Sequence, residues 1–380
     1  MSGNPVNVLF VAGEASGDLH GSAVLRALKF IEPGIATVGI GGDMMRREGM
    51  ELIHHCADLS FMGFVEVLRN LGTIHAVERK LEDVLVRRKP DVAVLIDYPG
   101  FNLRFARKVK AHGIPVLYYI SPQVWAWNRG RVKNVRRLVD QMKVVFPFEV
   151  EIYRKVGVDV EFVGHPLVEH LAVSCAREEF FAQNGLDPRK QLLGLFPGSR
   201  PQEIDRILPV MAMAGEALQK SRPLQLALGV APNLGKVRIR TSLPAGANIT
   251  MVENGTYDLM AHADAAIVTS GTATLEAGWF GTPMAVVYRT SPLTYLIGRM
   301  LVDMPYIGLV NIVAGRKVVP EFVQHAMTVE NVTRAVGRML DDTAFAQSLR
   351  SALDVIKTNL GAPGASERVA RGIMQLARSA

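Results

Sequence analysis

The 380-residue chain is short of several things, and each shortage excludes something. It has only two cysteines, Cys56 and Cys175, which allow one cross-link at most and fit a reducing cytoplasm. No charged leader or cleavage site precedes the first apolar run, Val6-Asn7-Val8-Leu9-Phe10-Val11, so cytoplasmic residence is expected. No apolar run approaches the roughly 20 residues that cross a bilayer, so any membrane contact is expected to be peripheral. Neither Gly-x-Gly-x-x-Gly nor Gly-x-x-x-x-Gly-Lys-Ser/Thr occurs; Gly13-Glu14-Ala15-Ser16-Gly17-Asp18-Leu19-His20-Gly21 has a different spacing, against both a dinucleotide fingerprint and a P-loop. There is no Asp-x-Asp to hold a divalent ion on a diphosphate, and His54-His55 lacks ligands at zinc spacing, so neither metal nor cofactor is expected. Internal repeats and low-complexity stretches are also missing.

What the chain does have is apolar sequence, 49% of its residues, and a length beyond that of a single hydrophobic core. Apolar β-rich runs alternate with helical periods almost end to end, the pattern of parallel sheets wrapped by helices. Strands are expected near Val6–Val11, Thr37–Ile40, Asp91–Ile96, Pro115–Tyr119, Gln141–Val145 and Val160–Val163. A second set is expected near Leu192–Phe196, Leu224–Gly229, Ile249–Val252, Ala265–Val268 and Met284–Tyr288. The fold class is therefore α/β, two doubly wound, Rossmann-like parallel sheets facing across a cleft. A hinge around Gly164-His165-Pro166 divides the chain into 1–168 and 169–362. Sites in such folds lie beyond the carboxyl ends of the strands.

Two such strand ends stand out. Leu192–Phe196 breaks at Pro197-Gly198-Ser199-Arg200 and a helical pattern follows from Pro201; Ala265–Val268 breaks at Ser270-Gly271 and a helix restarts at about Thr272. A helix N-terminus presents unpaired N–H groups and roughly half a positive charge, so two of them with Arg200 suit the pyrophosphate of a nucleotide sugar. The alternative is that Ser199 and Thr272 only cap their helices and Arg200 is a solvated surface residue. Glu276, one turn beyond Thr272, is placed to accept hydrogen bonds from ribose hydroxyls, or merely complements the positive helix end.

In the first half, Asp97 ends the strand Asp91–Ile96 and is a candidate general base for an acceptor hydroxyl; the alternative is that it only shapes the following turn. Glu14 and Asp18 are rival carboxylates, and His20 is a candidate to orient or shuttle a proton. Between Tyr98 and Phe148 there are ten Lys or Arg against the single acid Asp140, within a net charge of +7. That patch suits anionic surfaces: nucleic acid, acidic headgroups or phosphorylated substrates. Trp125 and Trp127 lie just before Arg129 and Arg131, a composition of membrane-interface contacts. The segment Phe61-Met62-Gly63-Phe64-Val65-Glu66-Val67-Leu68 is apolar nearly all round, so Phe61, Met62, Phe64, Val65 and Leu68 are either core or lipid-contacting.

Gly13-Glu14-Ala15-Ser16-Gly17-Asp18, Phe61-Met62-Gly63, Ile96-Asp97-Tyr98-Pro99-Gly100-Phe101-Asn102, Ser121-Pro122-Gln123-Val124-Trp125-Ala126-Trp127, Phe146-Pro147-Phe148-Glu149, Gly164-His165-Pro166, Pro197–Arg200 and Ser270–Glu276 occur in the order seen in the lipid-A-disaccharide synthase family, which the chain resembles over most of its length. The resemblance implies a metal-independent, inverting GT-B glycosyltransferase joining UDP-2,3-diacylglucosamine to 2,3-diacylglucosamine 1-phosphate. It makes Asp97 the base and Arg200 the diphosphate contact. Ser270, Gly271, Thr272, Thr274 and Glu276 become the UDP loop, with Asn311, Glu321 and Gln324 as further nucleotide-side residues. Ser16, the Phe61–Leu68 stretch and the Trp125/Trp127 loop fall on the side handling acylated substrate and membrane, and residues 363–380 pack back on the first domain. The implied partners are a UDP-sugar, an acylated glucosamine phosphate and the inner face of a Gram-negative cytoplasmic membrane, with no nucleic acid. The alternative on the same fold is a UDP-N-acetylglucosamine-using transferase or epimerase. Two positions depart from the family pattern: Asn128 where a basic residue is expected, and Val310 where Leu-Pro-Asn is common.

Overall fold

The structure, a computed structural model, describes residues 5–59, 70–123, 132–231, 234–292, 295–296, 299 and 304–379. They form two compact units, Met1–Glu169 with Leu360–Ala380, and His170–Asn359.

The first unit alternates strand and helix: β1 (Asn7–Ala12), α1 (Ala15–Ile31), β2 (Ala36–Gly41), α2 (Asp43–Arg47), β3 (Glu51–His55), α3 (Leu71–Arg88), β4 (Val92–Ile96), α4 (Pro99–Ala111), β5 (Val116–Tyr119), α5 (Val132–Leu138), β6 (Gln141–Val144), α6 (Pro147–Arg154) and β7 (Asp159–Phe162). The strands make one parallel sheet in the order β3-β2-β1-β4-β5-β6-β7. β1 is central because nearly every residue from Val8 to Ala12 is apolar and fully buried, as a strand covered on both faces requires. It pairs with β2 on one side and β4 on the other, so Val8 stands between Thr37 and Val92. On α3 the predicted stripe Ile74, Val77, Leu81, Val84 and Leu85 is buried in the core, each side chain contributing roughly 1.5–3 kcal/mol of apolar burial. Also in this unit, α15 (Ala365–Ser379) packs along α1.

The second unit repeats the plan with α7 (Arg177–Gln183), β8 (Gln191–Phe196), α8 (Pro201–Gln219), β9 (Leu224–Gly229), α9 (Lys236–Ser242), β10 (Thr250–Val252), α10 (Thr256–His262), β11 (Ala265–Thr269), α11 (Thr272–Trp279), β12 (Met284–Tyr288), α12 (Leu309–Ala314), β13 (Glu321–Val323), α13 (Val329–Asp341) and α14 (Thr343–Leu360), the last running to the unit boundary. Its sheet is parallel in the order β10-β9-β8-β11-β12-β13. The expected α/β class with two doubly wound sheets is what the structure has. β3 and β13 are the strands that apolar runs do not reveal: both lie at a sheet edge, and neither Glu-Leu-Ile-His-His nor Glu-Phe-Val buries a residue fully. Among the described residues no helix is long and apolar enough to cross a membrane.

Candidate active site

In each sheet the strand order reverses beside the first strand, between β1 and β4 and between β8 and β11. Connections leave such a pair in opposite directions, which opens a crevice at the carboxyl ends. In the second unit that crevice is a cavity of about 650 Å³ walled by Phe196, Gly198, Ser199 and Arg200 at the end of β8, Gly229 at the end of β9, residues 254–258 after β10 and Thr269 to Ala273 at the end of β11. α8 and α11 both begin on this cavity, with Arg200 and Gly271 as N-caps, and neither cap closes its helix with a side-chain hydrogen bond. Two glycines make the close approach possible. Gly198 has φ +95°, and a Cβ there would lie 2.7 Å from Glu203 Oε2; Gly271 has φ +147°, where side chains are rarely tolerated.

Arg200 is exposed on the rim, its Nη1 donating to Glu203 Oε1 at 2.9 Å. Ser199 and Thr272 line the cavity with it. Ser270 Oγ donates to the Ile307 carbonyl at 2.9 Å, which ties the start of α11 to the loop before α12. Thr274 is fully buried and does not line the cavity: its Oγ1 donates to the Gly271 carbonyl and accepts from Val310 N–H. Glu276 does line it, and burial pushes its carboxyl up to about 7, opposed by a hydrogen bond from the Tyr257 hydroxyl at 3.4 Å.

Asn311 and Glu321 lie behind this wall rather than on it. Asn311 is fully buried, donating to Val319 O and Glu321 Oε1 and accepting from Val318 and Val319 N–H. Glu321 accepts from Ile307 and Gly308 N–H. The pair thus fixes the segment whose carbonyl holds Ser270, which is support for the cradle. Gln324 stands in left-handed backbone at φ +53° just after β13, with its carbonyl accepting from Arg289.

In the first unit the crevice between β1 and β4 brings Glu14 and Asp97 together. Asp97 is half-buried; burial, and then the Glu14 charge, push its carboxyl up to about 6, while the Tyr98 N–H pulls the other way. Asp97 and Tyr98 both have left-handed backbone, φ +46° and +45°, a conformation costing a side-chain-bearing residue roughly 1–2 kcal/mol. Glu14 and Ser16 are exposed beside them. His20 acts on His165, whose imidazole is held down to about 3 by burial and then by the His20 charge. Asp18, the other rival for the base, is engaged by backbone. It is buried, and its carboxylate accepts from the N–H groups of Gly42, Met44 and Met45 at 2.7–3.0 Å, closing the N-terminus of α2.

The expected lipid-side residues Phe61, Met62, Phe64, Val65, Leu68, Trp125, Trp127, Arg129 and Arg131 lie outside the described residues.

A family profile for lipid-A-disaccharide synthetase matches residues 8–359. Lipid-A-disaccharide synthase of Geobacter sulfurreducens is 44% identical over 371 residues, 97% of either chain. The chain belongs to the lipid-A-disaccharide synthase family. It is therefore a glycosyltransferase, a hexosyltransferase of lipid A biosynthesis. Solved structures with the same fold are more distant in sequence. UDP-GlcNAc 2-epimerase from Neisseria meningitidis, bound to UDP-GlcNAc, superposes with a TM-score of 0.64 at 13% identity, covering 97% of this chain and 100% of its own. MurG of Acinetobacter baumannii gives 0.61 at 15% identity, covering 98% and 100%.

Several wall residues of this lipid-A-disaccharide synthase family member escape the strand-end reading. Asn254-Gly255-Thr256-Tyr257 follows β10 with the same glycine-and-hydroxyl grammar as the other two turns, and that signal was available in the sequence. Glu203 and Thr269 carried no comparable sign, because one sits inside a helical period and the other inside an apolar run.

Proposed function

We propose that the enzyme transfers the sugar of UDP-2,3-diacylglucosamine to 2,3-diacylglucosamine 1-phosphate, forming the β-1,6-linked disaccharide 1-phosphate and UDP. The acceptor hydroxyl oxygen attacks the anomeric carbon as Asp97 takes its proton. The bond from that carbon to the diphosphate oxygen breaks, and configuration inverts. The charge appearing on UDP is met by the N-termini of α8 and α11 and by Arg200, dipoles and a cation already in place. The observation that carries this reading is that both helices begin on one cavity of nucleotide size in the second unit. Glu276 accepts from the ribose hydroxyls, and Asn311, Glu321 and Gln324 support the nucleotide side.

Both sugars carry acyl chains, so the enzyme works peripherally at the inner face of the cytoplasmic membrane. Phe61 to Leu68 and the Trp125/Trp127 loop with Arg129 and Arg131 are the sequence features suited to that surface. Mass spectrometry of products from acylated donor and acceptor tests the reaction: a disaccharide 1-phosphate with UDP is the expected outcome. Equal turnover of unacylated UDP-N-acetylglucosamine would favour the transferase or epimerase alternative instead.

A further inference from the structure

Asp97 and Tyr98 follow one another in left-handed backbone at the end of β4. Strain of that kind persists only where neighbours over-determine it. Here the neighbours are identifiable. The Asp97 carbonyl oxygen accepts two short hydrogen bonds, from Asn102 Nδ2 at 2.7 Å and from the Tyr118 hydroxyl at 2.6 Å, while the Asp97 N–H donates to Tyr119 O at 2.9 Å. The next residue is clamped as well: the Tyr98 hydroxyl donates to Leu59 O at 2.7 Å, and its ring lies so close to Gly13 that a Cβ there would be 2.3 Å from Cδ1.

Asn102 is fully buried at the end of the first turn of α4, and it reaches back to the strand ends. Its Nδ2 also donates to Ile96 O at 3.1 Å and lies 3.4 Å from Val11 O, so one amide group spans the ends of β4 and β1. Its Oδ1, by contrast, is buried with no hydrogen-bond partner. A buried amide that leaves one end unsatisfied is a poor choice for stability alone. Tyr118 is likewise fully buried, on β5 beside β4. Both side chains converge on the carbonyl of the one residue whose carboxyl the proposed reaction uses.

We propose that Asn102 and Tyr118 are positioning residues for the transfer reaction: by gripping the Asp97 carbonyl oxygen from two sides they hold the left-handed Asp97-Tyr98 turn and thereby aim the Asp97 carboxyl at the acceptor. The inference rests on Asp97 acting as the base. A carboxyl shifted by a fraction of an ångström loses hydrogen-bond reach to the hydroxyl it must deprotonate, while the nucleotide cavity in the other unit is untouched. The effect belongs in turnover rather than in donor binding.

The test uses the full-length enzyme with acylated donor and acceptor, and compares Tyr118→Phe, Asn102→Ala and Asp97→Asn with the parent. For each, turnover is followed from pH 5 to 9, UDP affinity by calorimetry and unfolding by heat. Tyr118→Phe keeps the ring and removes only the hydroxyl, so it is the variant least prone to misfold. Titratable groups facing Asp97 are Glu14, Tyr98 and Tyr118, and Glu14→Gln separates the influence of the first of these on the pH profile. The expected result for Tyr118→Phe and Asn102→Ala is a fall in kcat of roughly tenfold or more with a displaced acid limb, and UDP affinity within about twofold of the parent. A dead Asp97→Asn together with Tyr118→Phe of parental kcat and acid limb would overturn the positioning role alone, even if heat stability dropped. An Asp97→Asn enzyme that turned over normally would remove the base reading, and the inference with it.

Discussion

The Tyr257 hydroxyl donates to a Glu276 carboxyl oxygen at 3.4 Å on the wall of the second unit's cavity. Because burial raises that carboxyl to about 7, the residue changes charge in the physiological range. If the ionised form receives the ribose hydroxyls, UDP affinity rises as pH rises through 7 and levels off above it. Replacing Glu276 by Gln flattens that profile between pH 6 and 8 and weakens UDP binding at pH 8. Stability moves the other way: between the unfolded value of 4.5 and about 7 the folded state holds the proton that the unfolded chain has lost, so stability falls as pH rises across that window. At pH 8 Glu276→Gln is therefore more stable than the parent, by at most about 3 kcal/mol. Calorimetric titration with UDP and thermal unfolding at both pH values check the two signs, and a pH-independent parental affinity would dismiss the first.

Asp97 is expected to act only in the transition state, so its loss separates chemistry from binding. Asp97→Ala lowers kcat by roughly 10²–10⁴-fold with little change in UDP affinity. With its carboxyl at about 6, the parent's kcat falls on the acid side near that pH as the base becomes protonated. An unchanged turnover number in the variant would strip Asp97 of the role.

Asp18 offers the contrasting case of a carboxylate that is engaged by backbone N–H groups. Its three backbone N–H donors belong to the turn Gly42 to Met45, in which Gly42 and Met45 are buried with it while Asp43 and Met44 are exposed. Asp18→Ala leaves those donors without a partner and lowers stability by about 2–4 kcal/mol, as a lost cap in a buried place does. At a temperature where the variant is folded, its UDP affinity and the pH limb of turnover match the parent. Unfolding by denaturant and kinetics at 15 °C measure both; normal stability with lost turnover would return Asp18 to the list of bases.

Much of this was legible from residues alone, and what was not has physical causes. Fully buried central strands such as Val92–Ile96 and Ala265–Thr269 announce themselves as apolar runs, and the turn after the second carries Gly271 at φ +147°, where a side chain is rarely tolerated, whereas after the first it is Asp97 and Tyr98 that enter left-handed backbone, which no glycine signals. Edge strands β3 and β13 bury too little to show. Asp97 was visible by its place at a strand end, whereas the grip of Asn102, on the following helix, and of Tyr118, on the neighbouring strand, on its carbonyl was not, because a hydrogen bond between side chain and backbone leaves no periodicity. The same holds for Asp18, whose partners lie more than 20 residues away.

Arg200 and Gly198 test the cradle itself. Arg200→Ala removes the cation from the rim and weakens UDP binding by about 1.5–3 kcal/mol, the range for a hydrogen bond to a charged group, with turnover falling too. Gly198→Ala acts through geometry: at φ +95° a methyl group is strained, and it would sit 2.7 Å from Glu203 Oε2, so the turn carrying Ser199 and Arg200 must shift. The expected result is a loss of about 1–2 kcal/mol in stability and a clear loss of UDP affinity. Gly235→Ala is the matched control, since Gly235 also caps a helix in this unit but has φ −74° and open space where its Cβ would be. It should leave both stability and UDP binding within about 0.5 kcal/mol of the parent. Calorimetry with UDP distinguishes the three variants, and parental affinity in both Arg200→Ala and Gly198→Ala would move the diphosphate away from the start of α8.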